Sequence, residues 1–207
     1  HAGFFAATSA AYPTDFRNTA GNAYDSQFGI SSAGNPNGLV NRVGYGTGGF
    51  IKAYSVWGSE VAQQITQAAK FQIKIKNTFN TGSNSLSTDI TVKSLASNSG
   101  TYKLVVLLTE DSIIAEQLDY RLPAGSQLIS NYKFNHVLRG AINSEWGDAI
   151  FATAASANDS VVKSFTNFNI NSTYNANKCH VIAYVYDADA ASPTYYEVLQ
   201  VEEAHVK

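Results

Sequence analysis

From Phe71 onward the apolar residues of this chain recur at every second position, and that period dictates extended strands. FQIKIKNTF sets Phe71, Ile73 and Ile75 against Gln72, Lys74 and Lys76, so one face belongs to a core and the other to water. LSTDITVKSL repeats the pattern with Ile90 and Val92. TYKLVVLLTE is almost continuously apolar, the mark of a central strand covered on both sides. Further strands are expected at YKFNHVLRGAI, VVKSFTNFNI, CHVIAYVYD and YEVLQVEEAHV. Roughly seven strands joined by Asn/Ser/Gly loops, with no helical period between most of them, favour an antiparallel sandwich.

The first seventy residues follow a different grammar. HAGFFA reads as the end of a buried strand. TAGNAYDSQFGI places Ala20, Ala23, Tyr24, Gln27 and Phe28 at helical spacing, with Thr19 as N-cap and Gly29 as the stop. GNPNG is a turn, and LVNRVGY after it reads as a short strand. SVWGSEVAQQITQAAK gathers Val56, Trp57, Val61, Ile65 and Ala68 on one helical face, with Ser55 or Ser59 as the cap. The expected class is therefore α+β, predominantly β, with an α/β segment over 1–70 and a sandwich over 71–207.

Composition excludes several functions. Charged residues are 14% of the 207, the net charge is −2, and no run of like charges exceeds a pair. Neither nucleic acid nor an anionic membrane surface has a basic stripe to bind. No apolar run approaches the roughly 18 residues of a membrane-spanning helix. One cysteine, Cys179, leaves no internal disulfide and no CxxC pair. Twelve Tyr and eleven Phe among many short polar turns suit an exported β-rich protein. With no methionine, His1 reads as the start of a processed or trimmed product.

The stretch most like an active site is NHVLRGAINSEWGD, residues 135–148. On an unbroken strand, Phe134, His136 and Leu138 share one face while Asn135, Val137 and Arg139 share the other, which separates His136 from Arg139. Glu145 and Asp148 fall in the following loop, anchored by Trp146. No nucleophile motif accompanies them. His136, Arg139, Glu145, Trp146 and Asp148 are accordingly expected to form a recognition surface, with no catalytic residue. GYGTGG spells a phosphate-loop pattern, but FIKAYS stands between it and any helix, so it reads as a connector. The four histidines lack metal-ligand spacing, and Cys179 runs in phase with Val181, Ala183 and Val185 as a core thiol. Asp187 and Asp189 suit either a calcium loop or a plain turn. No cofactor is expected. Tyr174, Tyr195 and Tyr196 offer flat contact area for a glycan or protein.

Taken together, HAGFFA, YPTDFRNTAGNAYDSQFGI, AGNPNGLVNR, NHVLRGAINSEWGDAI and the terminal EVLQVEEAHV resemble the twenty-eight-kilodalton outer membrane protein family of Bacteroidetes. The resemblance implies an exported lipoprotein of the outer membrane or cell surface, attached only through a lipid anchor outside this sequence. It also implies a thioredoxin-like front half, an immunoglobulin-like sandwich behind it, and an adhesive or surface-binding role towards host or surface proteins and glycans. A first strand and a CxxC helix should precede HAG in such a front half, and they are absent here. The alternative function is thus a thiol-disulfide oxidoreductase, or its accessory, with the CxxC in an absent N-terminal portion. In that comparison Asn35, Pro36, Asn37 and Gly38 occupy the cis-proline loop, cis or trans at Asn35–Pro36. The uncovered face of a truncated sheet is expected to be filled by the cleaved N-terminal fragment or by another copy of the chain.

Overall fold

The computed structural model describes residues 14–34, 36–151 and 154–207; HAGFFA and the Asn35–Pro36 peptide lie outside them. Two helices, α1 (Thr19–Phe28) and α2 (Trp57–Gln64), bracket two minimal strands, β1 (Asn37–Gly38) and β2 (Lys52–Ala53). Next come β3 (Phe71–Asn80), β4 (Ser85–Ser94), the short β5 (Asn98–Ser99) and β6 (Tyr102–Glu110). A hairpin of β7 (Ile113–Leu118) and β8 (Leu128–Phe134) leads to β9 (Val137–Ala141), β10 (Asp148–Ala149) and β11 (Ala154–Ala155). Then follow β12 (Ser160–Asn169), β13 (Cys179–Asp187) and β14 (Val198–His205).

Two antiparallel sheets enclose the main core. One runs β12-β4-β3; the other runs β10-β6-β13-β14, with β9 sharing the edge of β6 that β10 also uses. The alternation of β3 and β4 turns Phe71, Ile73, Leu86, Ile90 and Val92 inward. They meet Leu104, Val106 and Leu108 of β6 and Cys179, Val181, Ala183 and Val185 of β13. Burial of each large side chain of this kind stabilises by about 1.5–3 kcal/mol. On the opposite side of the same two strands, Val105 joins Tyr184 and Tyr186 in a second buried cluster. That double coverage is why TYKLVVLLTE carries apolar residues at successive positions.

The outer face of the five-stranded sheet is covered by the opening segment. Ala20, Tyr24 and Phe28 of α1 pack with Leu138, and beside Leu107, Trp146 and Tyr196. The helix cap is Asn18 rather than Thr19: its side chain accepts from the Gly21 N–H at 2.9 Å and donates to the Leu138 carbonyl at 2.8 Å. One residue therefore both starts the helix and ties it to β9. Gly29 ends it in the left-handed region (φ 65°), a conformation that costs glycine least.

Three local expectations are corrected. LVNRVGY is a run of turns, because Asn41 and Arg42 take positive φ (49° and 57°), and the strand pairing falls instead on 37–38 with 52–53. Neither Ser55 nor Ser59 caps α2; it grows out of a 3₁₀ turn at Tyr54–Val56, and Val56 makes no side-chain cap bond. YKFNHVLRGAI is two strands, β8 and β9, broken at Asn135–His136. The apolar face of α2 exists as spaced in the sequence, yet α2 buries none of its residues.

Candidate binding surface

At the break in NHVLRGAINSEWGD, His136 takes a φ of 53°, and its N–H donates to Asp111 Oδ1 at 2.6 Å. Asn135 Oδ1 in turn accepts from the Ser112 N–H at 3.1 Å. These two bonds clamp the base of the β7–β8 hairpin. The phase of the strand is reset there, so Leu138 packs under α1 while Phe134 joins Val137 and Ala115 in a separate cluster. The alternation expected across 134–139 is thereby overturned.

Arg139 donates to Glu110 Oε2 at 2.8 Å, in a pair whose side chains are only 16% and 7% exposed. The other oxygen of Glu110 accepts from the Asn175 N–H at 2.8 Å, and the Arg139 guanidinium lies 4.3 Å from the centre of the Tyr174 ring. This cation knots β9, β6 and the turn before β13 together; breaking such a pair from one side costs about 3–5 kcal/mol.

Two histidines that are far apart in sequence converge on two carboxylates, and a third stands beside them. His136 places Nε2 3.0 Å from Glu203 and Nδ1 3.4 Å from Asp111. His180 places Nδ1 2.5 Å from Glu203 and Nε2 3.6 Å from Asp111. The His205 ring lies 4.3 Å from that of His180, because the β13–β14 register sets the two residues opposite each other. Each imidazole thus faces both carboxylates; the His136 Nε2–Glu203 contact is a hydrogen bond, and the other three are close approaches. Among the described residues, no group of three or more His, Cys, Asp or Glu side chains is arranged to hold a metal ion.

The loop over 143–148 is fastened to β6 from within. Asn143 accepts from the Val106 N–H at 2.9 Å and donates to the Leu104 carbonyl (2.9 Å) and to Asp148 Oδ2 (2.8 Å). Gly147, with φ 69°, sits so close over the Leu104 carbonyl that no side chain fits there. The Glu145 carbonyl accepts from the Tyr24 hydroxyl at 2.8 Å, and the Trp146 carbonyl accepts from Tyr186 at 2.9 Å. Arg42 Nη2 donates to the Tyr184 hydroxyl at 2.8 Å, which itself bonds to Tyr24 at 3.3 Å. Burial pushes the Tyr24 and Tyr186 phenols well above the ordinary range, so these hydroxyls remain protonated. The Arg42 guanidinium lies within 5.7 Å of the ring centres of Tyr24, Phe28, Tyr184 and Tyr186.

The five nominated residues therefore divide between two structures. His136 and Arg139 anchor on the adjacent acids Asp111 and Glu110, whereas the loop holding Glu145, Trp146 and Asp148 rests on Leu104 and α1. In the proline loop, Pro36 is exposed, Asn37 donates to the Ile30 carbonyl at 2.8 Å, and Gly38 lies under the Trp57 ring. Cys179 is fully buried, and burial raises its thiol to about 12, far from a nucleophilic thiolate at neutral pH. Asp187 accepts from the Ser192 and Thr194 hydroxyls, both at 2.6 Å, as the anchor of a turn. Glu110, Asp111, His180, Glu203 and Arg42 escaped sequence reasoning. Only the strand register and a left-handed turn bring them into place.

The profile of outer membrane protein Omp28 matches residues 21–207, most of the chain. The chain belongs to the Omp28 family. That membership assigns it to the outer membrane, and no helix among the described residues is long and apolar enough to cross one. No curated protein matches the chain. Among solved structures it is similar to the beta-glucosidase D2-BGL from Chaetomella raphigera, at 13% identity and a TM-score of 0.24. That likeness covers 67% of this chain but 19% of the enzyme's, so the chain spans about a fifth of its length.

Proposed function

We propose that this chain is a non-catalytic surface-binding module of an exported outer-membrane protein, adhering to a host or surface protein or glycan. The observation that carries the reading is how the reactive side chains are spent. Arg139, His136, His180, Glu110, Asp111 and Glu203 are all committed to ties between strands and loops. A hydrolase needs an acid, base or nucleophile aimed at open space within hydrogen-bond reach of its partners. The finer architecture in this reading is the C-terminal part of a thioredoxin-like domain over 1–70 followed by an immunoglobulin-like sandwich over 71–207. The exposed apolar face of α2 supports a further element of it: the cleaved N-terminal fragment, or another copy of the chain, lies against that face.

The test is a screen of the purified chain against immobilised matrix proteins and glycans, run beside hydrolase and insulin-reduction assays. Saturable binding to at least one surface with no turnover is the expected result. Turnover, or no binding to any of them, overturns the proposal.

A further inference from the structure

We infer that the cavity of about 240 Å³ between α1, β6, β13 and the 188–196 loop is a binding site for a saccharide unit carrying a carboxylate. The inference deepens the surface-binding reading and rests on it. Trp146, Tyr186, Tyr195 and Tyr196 line the cavity together with Lys103 and Gln27. Its volume lies below the roughly 300–1,000 Å³ of drug-sized sites, which suits a single sugar ring.

The aromatic walls are held in place before any ligand arrives. Tyr186 and Tyr196 stack at 5.9 Å with their planes 13° apart, and Trp146 stands 5.7 Å from Tyr196. Tyr195 lies 4.1 Å from Tyr196. The loop that carries them is tied to Asp187, a carboxylate 6% exposed, which accepts from two of the loop's hydroxyls. The Tyr196 N–H also donates to the Asp187 carbonyl at 2.7 Å. Tyr196 takes a φ of 70°, a conformation that costs a non-glycine residue about 1–3 kcal/mol and persists only where the surroundings impose it. Tyr186, 2% exposed, is the buried floor, and the half-buried Trp146, Tyr195 and Tyr196 are what present apolar faces to the C–H edges of a pyranose without losing side-chain entropy on binding.

The polar groups narrow the ligand class. Register pairing of β6 with β10 and β13 places Lys103 between Ala149 and Tyr186, at the wall of the cavity. Among the described residues, no ion pair or hydrogen bond engages the Lys103 ammonium, and Gln27, whose amide nitrogen donates to the Tyr45 hydroxyl at 2.7 Å, offers its carbonyl oxygen. A neutral apolar ligand leaves that cation without a partner; a carboxylate on the sugar ring satisfies it. One cation in a chain of net charge −2 fits a single uronate-type carboxylate better than a highly sulfated polymer. The larger cleft, between Ile73–Ile75 and Glu202–Ala204, has no aromatic ring in its lining, and its Glu203 is already paired with His180.

The experiment is isothermal titration of the full chain with a glucuronate-containing tetrasaccharide and with its carboxyl-reduced counterpart, followed in parallel by tryptophan fluorescence. We expect saturable binding, a fluorescence change, and a preference of about tenfold for the acid. Lys103→Gln should erase that preference, and Tyr195→Ala should weaken both sugars by about tenfold or more. Absence of saturable binding to the acidic sugar, or an undiminished preference in Lys103→Gln, overturns the inference. Both variants also enter the surface screen described above. Wild-type binding that neither variant alters removes the cavity but leaves the surface-binding reading standing, whereas binding to nothing removes both.

Discussion

The two helices of the opening segment have similar amphipathic spacing and opposite fates. α1 buries Ala20, Gly21, Tyr24 and Phe28, and its cap residue reaches the backbone of β9. α2 buries nothing: Val56, Trp57, Val61 and Ile65 are 39%, 36%, 47% and 77% exposed. What holds α2 is local, namely the Trp57 indole donating to the Lys52 carbonyl at 3.1 Å and the Lys52–Glu60 pair at 3.1 Å. An apolar stripe in the sequence thus specifies a helix and a face, but not the surface that covers it. For α1 that surface is the outer side of β6 and β9; for α2 it is not among the described residues.

Substitutions can break that comparison or sharpen it. Phe28→Ala removes a ring packed against Tyr45, Phe50, Trp146 and Tyr196, and should cost about 3–5 kcal/mol in urea denaturation. A loss below about 1 kcal/mol would place α1 in the same loosely held class as α2. Gly147→Ala, which drives a methyl group into the Leu104 carbonyl under the loop that α1 rests on, should cost more than about 2 kcal/mol and lower the melting temperature accordingly. Asn18→Ala deletes the cap and its bond to β9, for a loss of about 1 kcal/mol, with Asn18→Ser restoring the cap but not the tie. Ile65→Ser on the bare face should change stability by less than about 0.5 kcal/mol. If Ile65→Ser instead costs as much as Phe28→Ala where the chain is monomeric and free of any partner on α2, the chain itself covers α2 and the contrast fails.

Legibility in the sequence followed the strength of the period. β3, β4, β6, β12, β13 and β14 were readable because their alternation, or their continuous apolar run, is what a two-sheet core demands. β7 and the first half of β8 were not, since Ile114 and Leu128 remain exposed and leave no clean buried face in the pattern; only the end of β8, from Tyr132, fell within an expected strand. The break at His136 was hidden because a positive φ at a histidine has no period to announce it; it depends on Asp111, twenty-five positions away. The imidazole–carboxylate cluster was equally invisible, as its members at 111, 136, 180, 203 and 205 meet only through strand pairing and the left-handed turn at His136. Of the cavity residues, Trp146, Tyr195 and Tyr196 stood out by type alone, whereas Lys103 gained its place from the register of β6.

The contrast between the two helices is tested most directly by native-state hydrogen exchange on the full chain held monomeric by dilution and without the fragment proposed to cover α2, resolved over 19–29 and 57–65. The amides of α1 should open with a free energy approaching that of β6 and β13, while those of α2 should exchange nearly as fast as an unstructured peptide. Equal protection of the two helices would contradict this assignment of which face is packed and which is bare.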